Sequence, residues 1–431
     1  MESIIPLNGR VAIVDDDEKQ AMPLMRVLSR NNIPYTFYKG NDYRFLPKTP
    51  ENDIRILFLD LNLLGNTEEN TKDIRSVLIP TLSRILSPHN YPYILILWSR
   101  QESLYLKTLE DVFKNELKDC SPIAIKNYVK SDFFHDYGTE EDDTQDDSLI
   151  IDELKMILAE LPAYSYLMQW ENCVHNSADK TIQEIFHDFH SLENWDNSAN
   201  CILDMFCKSY LGKHYNDASI EDKAKASLLF LNDVYCDTLE SHVNACNFPE
   251  ENDLSYSVNE EYKKEMEAKI NEFLLISNQT ESIHQPGCMI DFGCDFDDIT
   301  YFFKLMDNCL HNLPKKFKME DVYQNLIPCA IVVTPACDYA QNKNINDRIV
   351  QGVIIDSDFQ KYIDKSEAIF ISPIFTYESH HKIIVLNFRY FITTNLEGIK
   401  PKRLLRLRSS ILAEIQSKLA RHINRQGIMN L

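Results

Sequence analysis

No stretch of this chain runs to eighteen consecutive apolar residues, the length at which a membrane-spanning helix would be suspected. Its first ten residues, MESIIPLNGR, lack the basic region followed by a long apolar stretch that marks a secretory leader. The cysteines number eleven, an odd count, and they are scattered with no CxxC pair, which suits reduced thiols rather than a disulfide scaffold. Basic residues are outnumbered: 44 Lys and Arg against 66 Asp and Glu leave a net charge of −22. That balance opposes contact of the whole chain with nucleic-acid or membrane phosphates, while leaving room for a local basic patch. Together these absences lead us to expect a soluble, cytoplasmic protein.

What is present is globular. The chain is 44% hydrophobic and 26% charged, with neither Pro nor Gly in excess. Its 431 residues suggest about two to four domains. Residues 1–135 alternate apolar runs with helical patterns. VAIV (11–14), ILFLDL (56–61) and YILILW (93–98) have the unbroken Ile, Leu and Val content of parallel strands buried on both faces. AMPLMRVLSR, TKDIRSVLIPTLSRIL and LKTLEDVFKNEL carry apolar residues at helical spacing. This βαβ series predicts an α/β domain built on a doubly wound parallel sheet. Residues 136–148 are acidic and polar and predict a linker, and residues 149–285 predict a helical region. Residues 286–431 predict a β-rich α+β domain, with strands in PCAIVV, IVQGVIID, AIFI and KIIVLNFRYFITT. Its last element is expected to be a helix over about 401–424 whose apolar stripe is Leu404, Leu407, Ile411, Ile415, Leu419 and Ile423.

Two of the buried-looking runs end abruptly in carboxylates. Asp15 and Asp16 follow the first strand, and Asp60 follows another forty-five residues later. Ligands of open α/β sheets bind beyond the carboxyl ends of the strands, so neighbouring strands would bring these acids into one crevice. Such a cluster repels itself unless protons or a hard cation compensate, and Mg²⁺ suits a site with few carboxylates because it keeps several waters. The alternative is that these aspartates only cap helices or face solvent.

The ordered set resembles the receiver domain of two-component response regulators, over about the first third of the chain. The acid pair is Asp15-Asp16 in VDDD, and the phosphoacceptor position is Asp60 in LDLNLLG. Asn62 matches the position whose backbone carbonyl binds the metal, and Ser99 in LILWSR matches the hydroxyl residue after the fourth strand. The receiver lysine matches Lys130 in KSDF, with Lys126 as the second choice. Leu64 stands where receivers often have proline, and Arg100 where they usually have a small residue. The resemblance implies a flavodoxin/CheY-like fold, Mg²⁺ held by Asp15, Asp16, Asp60 and Asn62, and phosphoryl transfer from a histidine kinase to Asp60, assisted by Ser99 and Lys130.

Further along, Cys337-Asp338 in VVTPACDYAQNK follows a strand and a proline turn. It could mark a reactive thiol with His380 or His381 as base, or a structural cysteine beside a capping aspartate. His284, Cys288 and Cys294 form a poorly spaced zinc motif. Trp170-Glu171 and its aromatic neighbours are read as core. The terminal segment carries Lys402, Arg403, Arg406, Arg408, Lys418, Arg421 and Arg425 against Glu414. It is expected to pack by its apolar stripe rather than read nucleic acid. As a whole, an atypical receiver, a helical middle and a β-rich end with TPACD and a basic terminal helix resemble the receiver proteins of bacterial anti-phage (Detocs-type) defence operons. That resemblance implies a signal relay or a phosphate sink, with other defence-operon proteins or a second copy of the chain as partners. A receiver-regulated enzyme acting through Cys337 or Asp338 is the competing reading.

Overall fold

The computed structural model describes residues 10–61, 63, 71–99, 106–134, 148–189, 194–246, 257–278, 283, 285–291, 326–335, 346–399 and 401–424. The chain divides into two units, residues 1–172 with 247–254, and residues 173–246 with 255–431.

The first unit is built on five parallel strands: β1 (Val11–Asp15), β2 (Tyr35–Lys39), β3 (Ile56–Leu59), β4 (Ile94–Ser99) and β5 (Ala124–Val129), in the order β2-β1-β3-β4-β5. The apolar runs are continuous because both faces of the sheet are covered, so side chains on alternate sides all need partners. Ala12, Val14, Leu57, Leu59, Leu95 and Leu97 enter one core cluster together with Leu78 and Leu82 of α2 (Thr71–Ile85) and Val112 and Phe113 of α3 (Leu106–Asn115). On the other face Val11, Ile13, Phe58, Ile96 and Trp98 meet Leu24 and Leu28 of α1 (Glu18–Arg30). A four-residue turn, α4 (Lys130–Phe133), follows β5 directly.

The helix α5 (Ser148–Ala159) and the first half of α6 (Pro162–Phe186) belong to this unit. Ile150, Ile157 and Tyr164 join the same cluster as α1. Trp170, expected in a core, is 53% exposed. Its neighbour Glu171 instead holds two cations, with Oε2 3.0 Å from Arg10 Nη1 and Oε1 2.9 Å from Arg55 Nη2. Between β2 and β3 only a 3₁₀ turn, Tyr43–Phe45, interrupts the connection.

The second unit holds helices α7 (Trp195–Leu211), α8 (Ile220–Asn244) and α9 (Glu260–Leu275) and an antiparallel sheet. Asn194 and Ser219 precede α7 and α8, and Ser219 Oγ accepts the Asp222 N–H at 3.1 Å, a side-chain cap of the first turn. The rings of Phe206 and Phe230 stack 4.9 Å apart between α7 and α8. The sheet comprises β6 (Cys288–Asp291), β7 (Ile327–Val332), β8 (Asp347–Asp356), β9 (Ile369–Ile371), β10 (Phe375–Tyr377), β11 (His380–Thr394) and β12 (Lys402–Arg406). Its order is β10-β11-β8-β7-β6-β12, with β9 paired to β11. A short turn, α10 (Leu396–Ile399), precedes β12. Gly352 marks a close approach on β8, since a Cβ there would lie 2.2 Å from the Val385 carbonyl oxygen.

The terminal segment corrects one expectation. Residues 402–406 form the edge strand β12 against β6, and the helix α11 begins only at Ser409 and ends at Ile423. The open edge of β6 offers backbone partners that no helix at 402 would satisfy. The apolar residues still turn inward: Leu407, Leu412, Ile415 and Leu419 are buried in the sheet's core, while Ile423, assigned to the stripe, is 56% exposed. Among the described residues no helix is long and apolar enough to cross a membrane.

Candidate functional site

Parallel pairing of β1 with β3 brings the strand-end acids together. Val14 lies opposite Leu59, so Asp15 and Asp60 are the next residues along neighbouring strands, and the Asp60 N–H donates to the Val14 carbonyl at 2.8 Å. The Asp15 carbonyl in turn accepts the Gly40 N–H at 2.9 Å, which ties the loop after β2 to the same edge. Asp15 and Asp60 are 0% and 2% exposed. Asp16, one residue on, is half-buried, and carboxylate oxygens of Asp15, Asp16 and Asp60 lie within 4.8 Å of one another.

The counter-charge comes from the end of β5. Lys130 is fully buried, and its Nζ donates to Asp15 Oδ2 at 2.6 Å and to Asp60 Oδ2 at 2.5 Å. A buried ammonium between two buried carboxylates is a charge-assisted contact that holds all three side chains in one arrangement. Lys126, the other candidate, pairs instead with Glu160. The difference follows from the strand's geometry, since only the residue that leaves the C-terminal end of β5 reaches the C-terminal ends of β1 and β3.

One ammonium does not balance three carboxylates. Burial pushes the Asp15 carboxyl up from its ordinary value of 3.8 to about 6; Lys130 pulls it down and the Asp60 charge raises it further. Burial also raises Asp16, with the Asp60 charge next in importance. Asp15 Oδ1 accepts the Asp17 N–H at 2.9 Å, which offsets part of the cost of burying it. Asp17 itself caps α1 by accepting the Lys19 N–H at 3.1 Å. The three aspartates of VDDD therefore have different tasks, two in the cluster and one at the helix start.

The donor set is all oxygen and carries surplus negative charge, which fits a hard divalent cation and not a thiophilic one. Asp15, Asp16 and Asp60 are the residues that would hold it. Among the described residues this is the only cluster of such side chains.

Ser99 closes β4 in register with Val129, at the same edge of the sheet. Asn62, Leu64 and Arg100 lie outside the described residues, as do Cys337, Asp338, His284 and Cys294. Cys288, from the zinc motif, sits in β6 among Ile290, Ala330, Val332 and Ile349, and burial pushes its thiol up. His380 and His381 open β11 and are exposed. The contributions that the sequence reading missed are the backbone N–H of Asp17 and that of Gly40. The first was legible as an Asp directly before a helical pattern, whereas the second depends on the loop's path.

Comparison of the chain with protein-family models, with curated proteins and with solved structures finds no match.

Proposed function

We propose that the first unit is a receiver of the flavodoxin/CheY-like, doubly wound type, and that Asp60 accepts a phosphoryl group. The observation that carries this reading is the buried Lys130 ammonium shared between Asp15 and Asp60, 2.6 and 2.5 Å from their carboxylates. A purely structural ion pair needs one acid. Here two acids share one ammonium and a third, Asp16, joins their cluster at the end of a parallel sheet, where ligands of this architecture bind.

Asp60 supplies the nucleophile. One carboxylate oxygen attacks phosphorus, the bond to the donor's leaving group breaks, and an acyl phosphate remains on Asp60. Lys130 both orients the Asp60 carboxylate and stands ready to stabilise an oxygen of the incoming group. Ser99, at the end of β4, is assigned the hydrogen bond to the transferred group. A Mg²⁺ ion held by Asp15, Asp16 and Asp60 would neutralise charge on the transferring phosphoryl oxygens. The donor we propose is the phosphohistidine of a partner kinase, in a pathway of the bacterial anti-phage type, with the chain serving as relay or phosphate sink. That setting rests on the resemblance in architecture and on the TPACD string.

The test is direct. The full-length protein, incubated with Mg²⁺ and acetyl phosphate or beryllofluoride, should gain one adduct that maps to Asp60. Asp60→Ala should abolish it, and chelation of the metal should suppress it. An adduct that persists in Asp60→Ala, or that forms equally well in EDTA, refutes the assignment.

A further inference from the structure

The helical part of the second unit contains a pair of thiols that the receiver reading does not use. Cys173, on α6, has its Sγ 3.3 Å from Sγ of Cys246, which lies two residues past the end of α8. One turn away, Ser177 Oγ lies 2.8 Å from His242 Nδ1. The two contacts step four residues in opposite directions along the chain, so α6 and the end of α8 run antiparallel here. The thiols stand at the two ends of the segment Cys173–Cys246, which belongs to the second unit.

The two cysteines differ in a way that suits sequential chemistry. Cys173 is buried, and Ser177 Oγ donates to its carbonyl at 2.6 Å. Cys246 is half-buried, and its thiol also contacts the His242 carbonyl at 3.4 Å. Burial, with Cys246 as neighbour, pushes the Cys173 thiol up, while Cys246 is the more accessible of the two sulfurs. Cys246 is therefore the thiol that meets a small oxidant first, and Cys173 is the one placed to resolve it. Its position beyond the last turn of α8 allows the short closure from non-bonded contact to a bond of about 2.05 Å.

We propose that Cys173 and Cys246 form a reversible disulfide on exposure to a peroxide, closing the segment between them into a loop. The Cys246 sulfur attacks one oxygen of hydrogen peroxide, the O–O bond breaks, and Cys246 becomes a sulfenic acid as the first water leaves. The Cys173 sulfur then attacks the Cys246 sulfur, the S–O bond breaks, and a second water departs. Overall two thiols are oxidised by two electrons and one peroxide is reduced to two waters. A thiol reductant reverses the bond by exchange at the Cys246 sulfur, the more accessible of the two.

The full-length protein should be titrated with hydrogen peroxide, blocked with an alkylating agent and digested without reduction. Of the eleven cysteines, a peptide linking Cys173 to Cys246 should appear first, vanish with dithiothreitol and accompany a rise in melting temperature. Cys173→Ser should instead accumulate a dimedone adduct on Cys246, and Cys246→Ser should leave Cys173 unmodified at the same dose. Cys201 and Cys236 are exposed and serve as internal competitors. Oxidation of those two while Cys173 and Cys246 remain alkylated as free thiols overturns the proposal. So does a Cys246 adduct that accumulates in the wild type without closing onto Cys173.

Discussion

Replacing Lys130 with methionine tests the electrostatics of the acidic cluster without requiring any reaction. The side chain is fully buried and makes both short contacts to Asp15 and Asp60, so methionine fills most of its volume while removing the ammonium that bridges them. Removing one partner of a buried ion pair costs about 3–5 kcal/mol, because the remaining charge is left uncompensated. That cost should depend on pH. Asp15 already titrates near 6 with Lys130 pulling its pKa down, so loss of the lysine moves it higher still. A carboxyl raised above its ordinary 3.8 contributes stability that is complete below that value and is lost as pH rises through the folded value. Lys130→Met should therefore lose about 3–5 kcal/mol at pH 7.5 and much less at pH 5, a tenfold change in the carboxyl's proton affinity being worth about 1.4 kcal/mol. A divalent cation should restore part of the loss at pH 7.5 by replacing the missing positive charge. Urea unfolding followed by Trp98 fluorescence reads the effect. Trp98 is buried against Phe58, Phe133 and Phe134, and Trp170→Phe with Trp195→Phe leaves it the only tryptophan of the three. An equal loss at both pH values, or no loss at pH 7.5, would refute the charge-compensation argument.

Two further outcomes are expected. Wild-type protein should be more stable in Mg²⁺ than in EDTA at pH 7.5, by about 2.7 kcal/mol at a hundredfold excess over Kd, and the gain should fade towards pH 5 as Asp15 takes up a proton. Calorimetric scans in matched buffers check this, and a metal effect that grows on acidification would count against the carboxylates as ligands. In the terminal helix, Ile415→Asp should destabilise by at least ~3 kcal/mol, since the side chain is fully buried in the sheet's core. Lys418→Ala, which removes an exposed i,i+4 pair with Glu414 and a cation–π contact 5.1 Å above the Phe370 ring, should cost no more than about 1.5 kcal/mol, and comparable melts for the two variants would contradict the packing described for α11.

The parallel sheet and its acidic edge were legible along the chain alone. Runs such as ILFLD can be read because a strand covered on both faces cannot alternate, and because an acid after an unbroken apolar run must sit where the strand leaves its cover. Branched residues likewise marked the strands β7, β8, β9 and β11 of the C-terminal region, whereas β6 and the antiparallel pairing were not expected. Other features were settled by tertiary contacts. The KSDF context favours Lys130 over Lys126 along the chain, but their different partners follow from where β5 ends relative to β1 and β3. Residues 402–406 carry leucines compatible with helical spacing, yet they form a strand because β6 has an edge to pair. Trp170 lies in an apolar helical stretch but faces outward, while Glu171 beside it is held by Arg10 and Arg55, residues more than a hundred positions earlier. The thiol pair was equally hidden, because Cys173 and Cys246 share no local motif and meet only through the antiparallel course of α6 and the end of α8. Local pattern fixes what a segment must bury. Which segment buries it depends on backbone partners and charges supplied from distant parts of the chain.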